Sequence, residues 1–345
     1  LAINETTVPD AVYRPDAAYR PDAAYREEWR PFEADPGPLV FLVGCQRSGT
    51  TWLHLQLART GAFRFLSAYD VYASDMLVHN RRQGVSGAAR QAFQARLDGA
   101  PSDRGIDAIP AGPDTPEEYG LVISCDPDGT GAMLRYDQPD TTEATLPRLL
   151  ELCAKKALIE GRDCPLLLKS PPDYPGGIAR LAAMWPQARF VAIQRHPLRT
   201  LESQVRAWRQ LIDRQNAYLT LIDRGYRALF ADTRRRMWLG MFLHSQSGID
   251  WLADCILRAH LGFLALRDSW VGANLLTIRY EDLCADQSST FAQLSAFLQI
   301  ELPEPAQSPA PRDLPVPDAI RDAFAARRDA FEPYLERFGY SAEFA

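Results

Sequence analysis

The run PLVFLVGCQRSGTTWLHLQLART, residues 38–60, constrains the fold more than any other part of the chain. Its first half is a short apolar run of the buried-strand type. Its second half places Trp52, Leu53, Leu55 and Leu57 as a buried helix would, and Gly61 sits where such a helix stops. Between them, Gly44 and Gly49 bracket a GxxxxG loop. Glycines there permit a tight turn, successive backbone N–H groups then face one anion, and the helix N-terminus adds about half a positive charge. The nucleotide-hydrolase version of this loop carries Lys where this chain has Thr50. The cation here is Arg47, inside the loop. A strand–glycine loop–helix unit near the start predicts an α/β fold with an anion site at its first turn.

The remaining punctuation extends that frame. LLLK (166–169), RFVAIQR (189–195) and LLTIRYEDL (275–283) read as further buried strands, and HPLRTLESQVRAWRQLI (196–212) as a long helix with Pro197 near its start. STFAQLSAFLQI and the C-terminal DAIRDAFAARRDAFEPYLERF read as amphipathic helices. Strand and helix alternate from 39 to 299, which predicts one parallel sheet covered on both faces, a three-layer sandwich. Residues 70–160 and 211–250 read as mostly helical insertions on that frame, and 100–117, rich in Pro, Gly and Asp, as a surface loop.

Three ordered motifs carry a resemblance to a known family. GCQRSGTTWL resembles the 5′-phosphosulfate loop of sulfotransferases that use 3′-phosphoadenosine 5′-phosphosulfate (PAPS), in which Lys or Arg stands where this chain has Arg47. FVAIQRHPLRTLES resembles the family's second motif, a strand ending in Arg with Ser eight residues on, here Arg195 and Ser203. LLLKSPPDY precedes it, as KSP-type segments do in bacterial and tyrosylprotein-like members, and the closing segments IRYEDLCADQSSTFAQLSAFLQI and FEPYLERFGY look like those of the bacterial branch. The resemblance implies a P-loop-type fold over residues 38–345, with PAPS held by Arg47, Ser48, Gly49, Thr50, Thr51 and Trp52 at one phosphate and by Arg195 and Ser203 at the other. It implies a catalytic group of Arg47, Lys169 and a carboxylate. A guanidinium at a strand end and a hydroxyl two helical turns on suit a shared grip on one phosphate.

Sulfuryl transfer needs a held donor, neutralised charge on the leaving phosphate, and a base for the acceptor's proton. Cytosolic members of the family carry a base histidine just after the lysine of their KxH segment; the matching Lys169-Ser170-Pro171-Pro172-Asp173 has none. Tyrosylprotein-like members use a glutamate shortly after the loop helix, and LSAYDVY offers Asp70 there. Asp70 is therefore the expected base, with Asp173 second. His196 reads as the shaper of the turn before Pro197, and Tyr280, Glu281 and Asp282 as structural. The acceptor is left open among small molecule, glycan, lipid and peptide, with Tyr72, Tyr119, Tyr218, Tyr226, Trp238 and Phe242 in the insertions to line its pocket.

Composition narrows the rest. With 46% apolar and 24% charged residues over 345 positions, the chain is an ordinary globular one. A net charge of −6 argues against a nucleic-acid partner. No apolar run reaches membrane-spanning length. Six scattered cysteines, without a CxxC pair or a signal segment, are expected as thiols in a cytoplasm, and no His/Cys spacing suggests a metal. Lysine occurs three times against 35 arginines, which singles out Lys169. Residues 1–37 carry a threefold PDAxYR repeat, expected as an extended arm leaning on the body through Tyr13, Tyr19 and Tyr25. Two competing functions remain. A P-loop kinase of a small metabolite would need the missing Walker lysine and an acidic magnesium site, and a non-catalytic nucleotide-binding module would bind without turnover.

Overall fold

The structure is a computed structural model and describes residues 20–99, 103–107, 109–124, 138–305 and 315–341. Its centre is a five-stranded, all-parallel sheet in the order β2-β3-β1-β4-β5. The strands are β1 Leu39–Val43, β2 Arg64–Phe65, β3 Leu166–Lys169, β4 Arg189–Gln194 and β5 Leu275–Arg279. Four match the apolar runs of the sequence; β2, only two residues long, has no run to announce it.

The two faces are built by simple alternation along each strand. Leu39, Phe41 and Val43 of β1 enter one apolar cluster together with Leu166, Leu168, Phe190 and Ala192. Val40 and Leu42 enter the other, with Leu167, Val191 and Ile193. The second face is covered by helix α1 (Thr50–Arg59) through Leu53 and Leu57, and by a C-terminal helix, Gln287–Leu298, through Phe291 and Leu294. The first face is covered by α2 (Leu146–Glu160), α3 (Pro197–Asp213) and α4 (Gln246–Ser269), through residues such as Leu149, Leu201 and Ile256. The result is the expected P-loop-type three-layer sandwich. Residues 70–160 and 211–250 contribute helices, among them Leu77–Arg82, Ser86–Ala95, Ala217–Ile222 and Thr233–His244.

The expectation of an extended arm does not hold for the described part of the N-terminus. Residues Pro21–Tyr25, Arg26–Trp29 and Arg30–Phe32 form successive short helical turns. Pro21 opens the first, where a missing N–H costs nothing. Trp29, 2% exposed, packs against Val78 and Ala154, with Tyr25 alongside. Asp22 is fully buried, 2.9 Å from the Lys155 ammonium, and accepts from the backbone N–H of His79. Burying one tryptophan and one ion pair outweighs the proline-rich composition. Tyr13 and Tyr19 lie outside the described residues. Among the described residues, no helix is long and apolar enough to cross a membrane.

Candidate active site

The strand order explains where the chemistry gathers. β1 lies between β3 and β4, so the loop leaving β1 is flanked by the C-terminal ends of both, which carry Lys169 and Arg195. The loop turns through Cys45 to Ser48, with the Ser48 N–H on the Cys45 carbonyl at 3.0 Å, and enters α1 after Gly49. Glycine is required at both ends. A Cβ at Gly44 would lie 2.7 Å from the Ile193 carbonyl oxygen, and Gly49 takes φ +102° with the Tyr280 ring against it.

Arg47 holds φ 69°, in the left-handed region, and its side chain turns back over the loop. Its Nε donates to Ser203 Oγ at 3.3 Å, and a terminal nitrogen donates to the Ile106 carbonyl. Arg195 donates to the Arg47 carbonyl at 2.8 Å and stacks on the Tyr280 ring at 4.6 Å. Arg47, Arg195 and Ser203, up to 156 residues apart in sequence, thus meet at one lip of the loop. Burial lowers the pKa of both guanidinium groups, and a guanidinium stays charged regardless. Ser48 is buried, and its hydroxyl has no partner. A cradle of bare backbone, an orphaned hydroxyl and two half-buried cations suit a ligand that brings phosphate oxygens.

The opposite lip is built by the insertion, and here the surface-loop expectation for 100–117 fails at Arg104 and at Thr115, Pro116 and Glu117, which are buried. The segment is stitched to the sheet: Ser67 and Pro116 form an antiparallel bridge, the Glu117 N–H donates to Leu66, and the Tyr119 N–H donates to the Lys169 carbonyl. These bonds satisfy the backbone in the interior. Arg104 and Glu117 are buried against each other at 3.2 Å, and Tyr218 donates to Glu117 at 2.7 Å. The neighbouring Glu118 lies 2.8 Å from the Lys169 ammonium, which also donates to Thr51 Oγ1 at 2.9 Å. Lys169 therefore bridges the loop helix and a carboxylate.

A cavity of about 150 Å³ opens between the two lips, with Arg47, Thr51, Glu118, Asp140, Trp208 and Tyr226 in its wall. Ser170 donates to Asp140, whose carboxyl is pushed up to about 7 by burial and by Asp173 close by. Of the six aromatic residues expected to line an acceptor pocket, Tyr226 reaches this cavity. Tyr119 and Tyr218 are buried with their hydroxyls on Asp173 and Glu117, Tyr72 packs edge-on against Phe93, and Trp238 stacks on Phe242.

Neither expected base faces the cavity. Asp70 occupies the third position of the short helix Ala68–Tyr72 and forms a capping box with Ser67. One oxygen takes the Ser67 N–H at 2.9 Å and the Lys156 ammonium at 2.8 Å; the other faces Arg90 at 3.8 Å. Burial pushes its carboxyl up, but Lys156 and the Ser67 N–H outweigh this and hold it below the ordinary value. Asp173, fully buried, accepts from Tyr119 and from both the hydroxyl and the N–H of Thr141. Trp52 points its ring into the apolar cluster behind α1, so only its backbone belongs to the loop. His196 caps α3, its Nδ1 accepting from the Leu198 N–H, and burial lowers its pKa to about 4. Glu281 accepts from the His196 N–H and the Tyr340 hydroxyl, as a structural residue does, whereas Tyr280 belongs to the site. Glu118, Asp140 and Tyr280 are the residues sequence reasoning missed; the adjacent carboxylates of Pro116-Glu117-Glu118-Tyr119 were the available signal for the first. No group of three or more His, Cys, Asp or Glu side chains among the described residues could hold a metal ion.

Comparison with known proteins agrees with this architecture. Among solved structures, the sulfotransferase STF9 of Mycobacterium avium aligns at a TM-score of 0.56 with 16% identity, covering 92% of this chain and 81% of that one. The sulfotransferase STF1 of Mycobacterium tuberculosis H37Rv aligns at 0.51 with 18% identity, covering 91% and 80%. At such identities these likenesses speak for the fold. No curated protein matches. The model of the sulfotransferase family matches residues 38–304, from the foot of β1 to just past the last sheet-covering helix, and the chain belongs to that family.

Proposed function

We propose that this transferase moves the sulfuryl group of PAPS, in line, to a hydroxyl or amine of an acceptor held in the cavity beside Glu118. The observation that carries the reading is the meeting of Arg47, Arg195 and Ser203 at the lip of the loop. Two anion grips lie side by side there, as a nucleotide phosphorylated at both ends requires, and a triphosphate has no use for the second. The N–H groups of Gly49, Thr50 and Thr51 hold the 5′-phosphate, and Arg195 with Ser203 holds the 3′-phosphate. Lys169 and Arg47 neutralise the charge that grows on the leaving oxygen.

Glu118 takes the acceptor's proton. It is the carboxylate that combines a place in the cavity wall with contact to Lys169, and therefore with the donor end. Glu117 is committed to Arg104 and Tyr218. Titration calorimetry with adenosine 3′,5′-bisphosphate and with ATP–magnesium tests the donor. The bisphosphate is expected to bind more tightly, and Arg195→Ala to weaken it about ten- to hundredfold. Equal affinities, or a preference for ATP, would remove PAPS as donor.

A further inference from the structure

The helix Thr233–His244 turns large apolar side chains outward. It packs on α3 through Leu239 and Leu243, where Gly240 approaches Ile212 and the Arg209 guanidinium reaches the Leu243 carbonyl at 3.0 Å. Its other face shows Met237 at 60% exposure, Trp238 at 60% and Met241 at 71%. The remaining exposed large apolar residues among those described, Met184, Leu261 and Val271, do not share an element run of this kind. Positions 237, 238 and 241 fall on one side of a helix, and Trp238 lies flat on Phe242 at 5.6 Å, which makes the patch continuous.

Charge says what covers it. From Ala231 to His244, the segment that carries the patch, the chain has three arginines, one aspartate and no glutamate, an excess of two positive charges in a molecule of net −6. Arg234, Arg235 and Arg236 stand directly before the apolar residues, and Arg234 is exposed. A second copy set face to face on this patch would bring two such basic segments together, which disfavours self-association. Tryptophan and methionine beside arginines suit the boundary between headgroups and acyl chains of an anionic bilayer. We propose that this face docks on an anionic lipid surface, with Met237, Trp238 and Met241 entering the headgroup region and the arginines meeting lipid phosphates. The helix it packs on supplies Ala207, Trp208 and Leu211 to the wall of the acceptor cavity, so a docked enzyme holds that cavity one helix layer from the lipid. The proposal does not depend on the donor or on the base.

Vesicle co-sedimentation tests it with the full chain. Vesicles of phosphatidylglycerol and phosphatidylcholine should bind the protein, pure phosphatidylcholine vesicles should bind it at least tenfold more weakly, and binding should fall with salt. The variant Met237→Ser, Trp238→Ser, Met241→Ser should lose at least tenfold in partitioning, and Arg234→Glu with Arg235→Glu should lose a similar amount. Circular dichroism and the thermal melt of each variant serve as the check on folding. No binding to anionic vesicles, equal binding to both vesicle types, or undiminished binding by the folded serine variant would overturn the proposal. So would a dimer in light scattering that the serine variant abolishes, since the face would then belong to a second copy.

Discussion

Arg47 combines a strained backbone with a side chain held by three partners. A left-handed φ in a residue with a Cβ costs roughly 1–2 kcal/mol, and its contacts to Ser203, Ile106 and Asp107 hold the residue there. Arg47→Ala and Arg47→Gly both remove the guanidinium, but only glycine relieves the backbone. The glycine variant should unfold at higher denaturant, by about 1 kcal/mol, while both fail to bind the bisphosphate. Equal stabilities would place no strain at this position. Glu118→Gln removes the proton acceptor and keeps the shape, so turnover should fall roughly 10²-fold or more at unchanged bisphosphate affinity. Near-normal turnover would pass the role to Asp140, another carboxyl in the cavity wall. Arg47, Lys169, Arg195 and Ser203 were legible because each stands at or just after a strand end, or at a fixed spacing along the helix that follows one. Glu118 was not, because it reaches Lys169 across 51 positions through a loop whose composition reads as solvent-facing.

Elements decide what a carboxylate is for. Asp70 stands at the spacing expected of a base, yet the local helix claims it: Ser67 and Asp70 cap each other, and Lys156 of α2 neutralises the result. Asp70→Asn should therefore cost stability, roughly 3 kcal/mol for an ion pair broken in the interior, and leave bisphosphate binding intact. Because the folded carboxyl is held below its ordinary pKa, this stabilisation is complete above the unfolded pKa of about 4 and is lost as pH falls through the lower folded value. Wild type and variant should thus converge in stability on acidification, followed by denaturant unfolding from pH 7 downward. A variant as stable as wild type at pH 7, but inactive, would restore Asp70 as the base. The spacing of Asp70 from the loop was readable in the sequence; its capping of Ser67 and its burial against Lys156 of α2 were not.

At the scale of the molecule, the sheet was the most legible feature, since four of its strands are short runs rich in apolar residues, as parallel strands covered on both faces are. The order β2-β3-β1-β4-β5 was not legible, and it is what brings Lys169 and Arg195 to either side of the loop. The N-terminal turns misled because proline and repeat signal extension, while Asp22 and Trp29 find burial that no local pattern announces. The stitch at Ser67–Pro116 and Tyr119–Lys169 divides the molecule's labour differently from its sequence. The proposed donor grip is carried by the sheet's own loops. The proposed acceptor cavity is walled in large part by inserted chain, and the inserted chain's carboxylate is registered to the sheet by main-chain bonds that ignore side-chain identity. Substitutions in the cavity wall can therefore retarget the enzyme to a new acceptor without moving the base relative to the donor, whereas an insertion or deletion between Ser67 and Pro116 that slips this register would disable every acceptor alike.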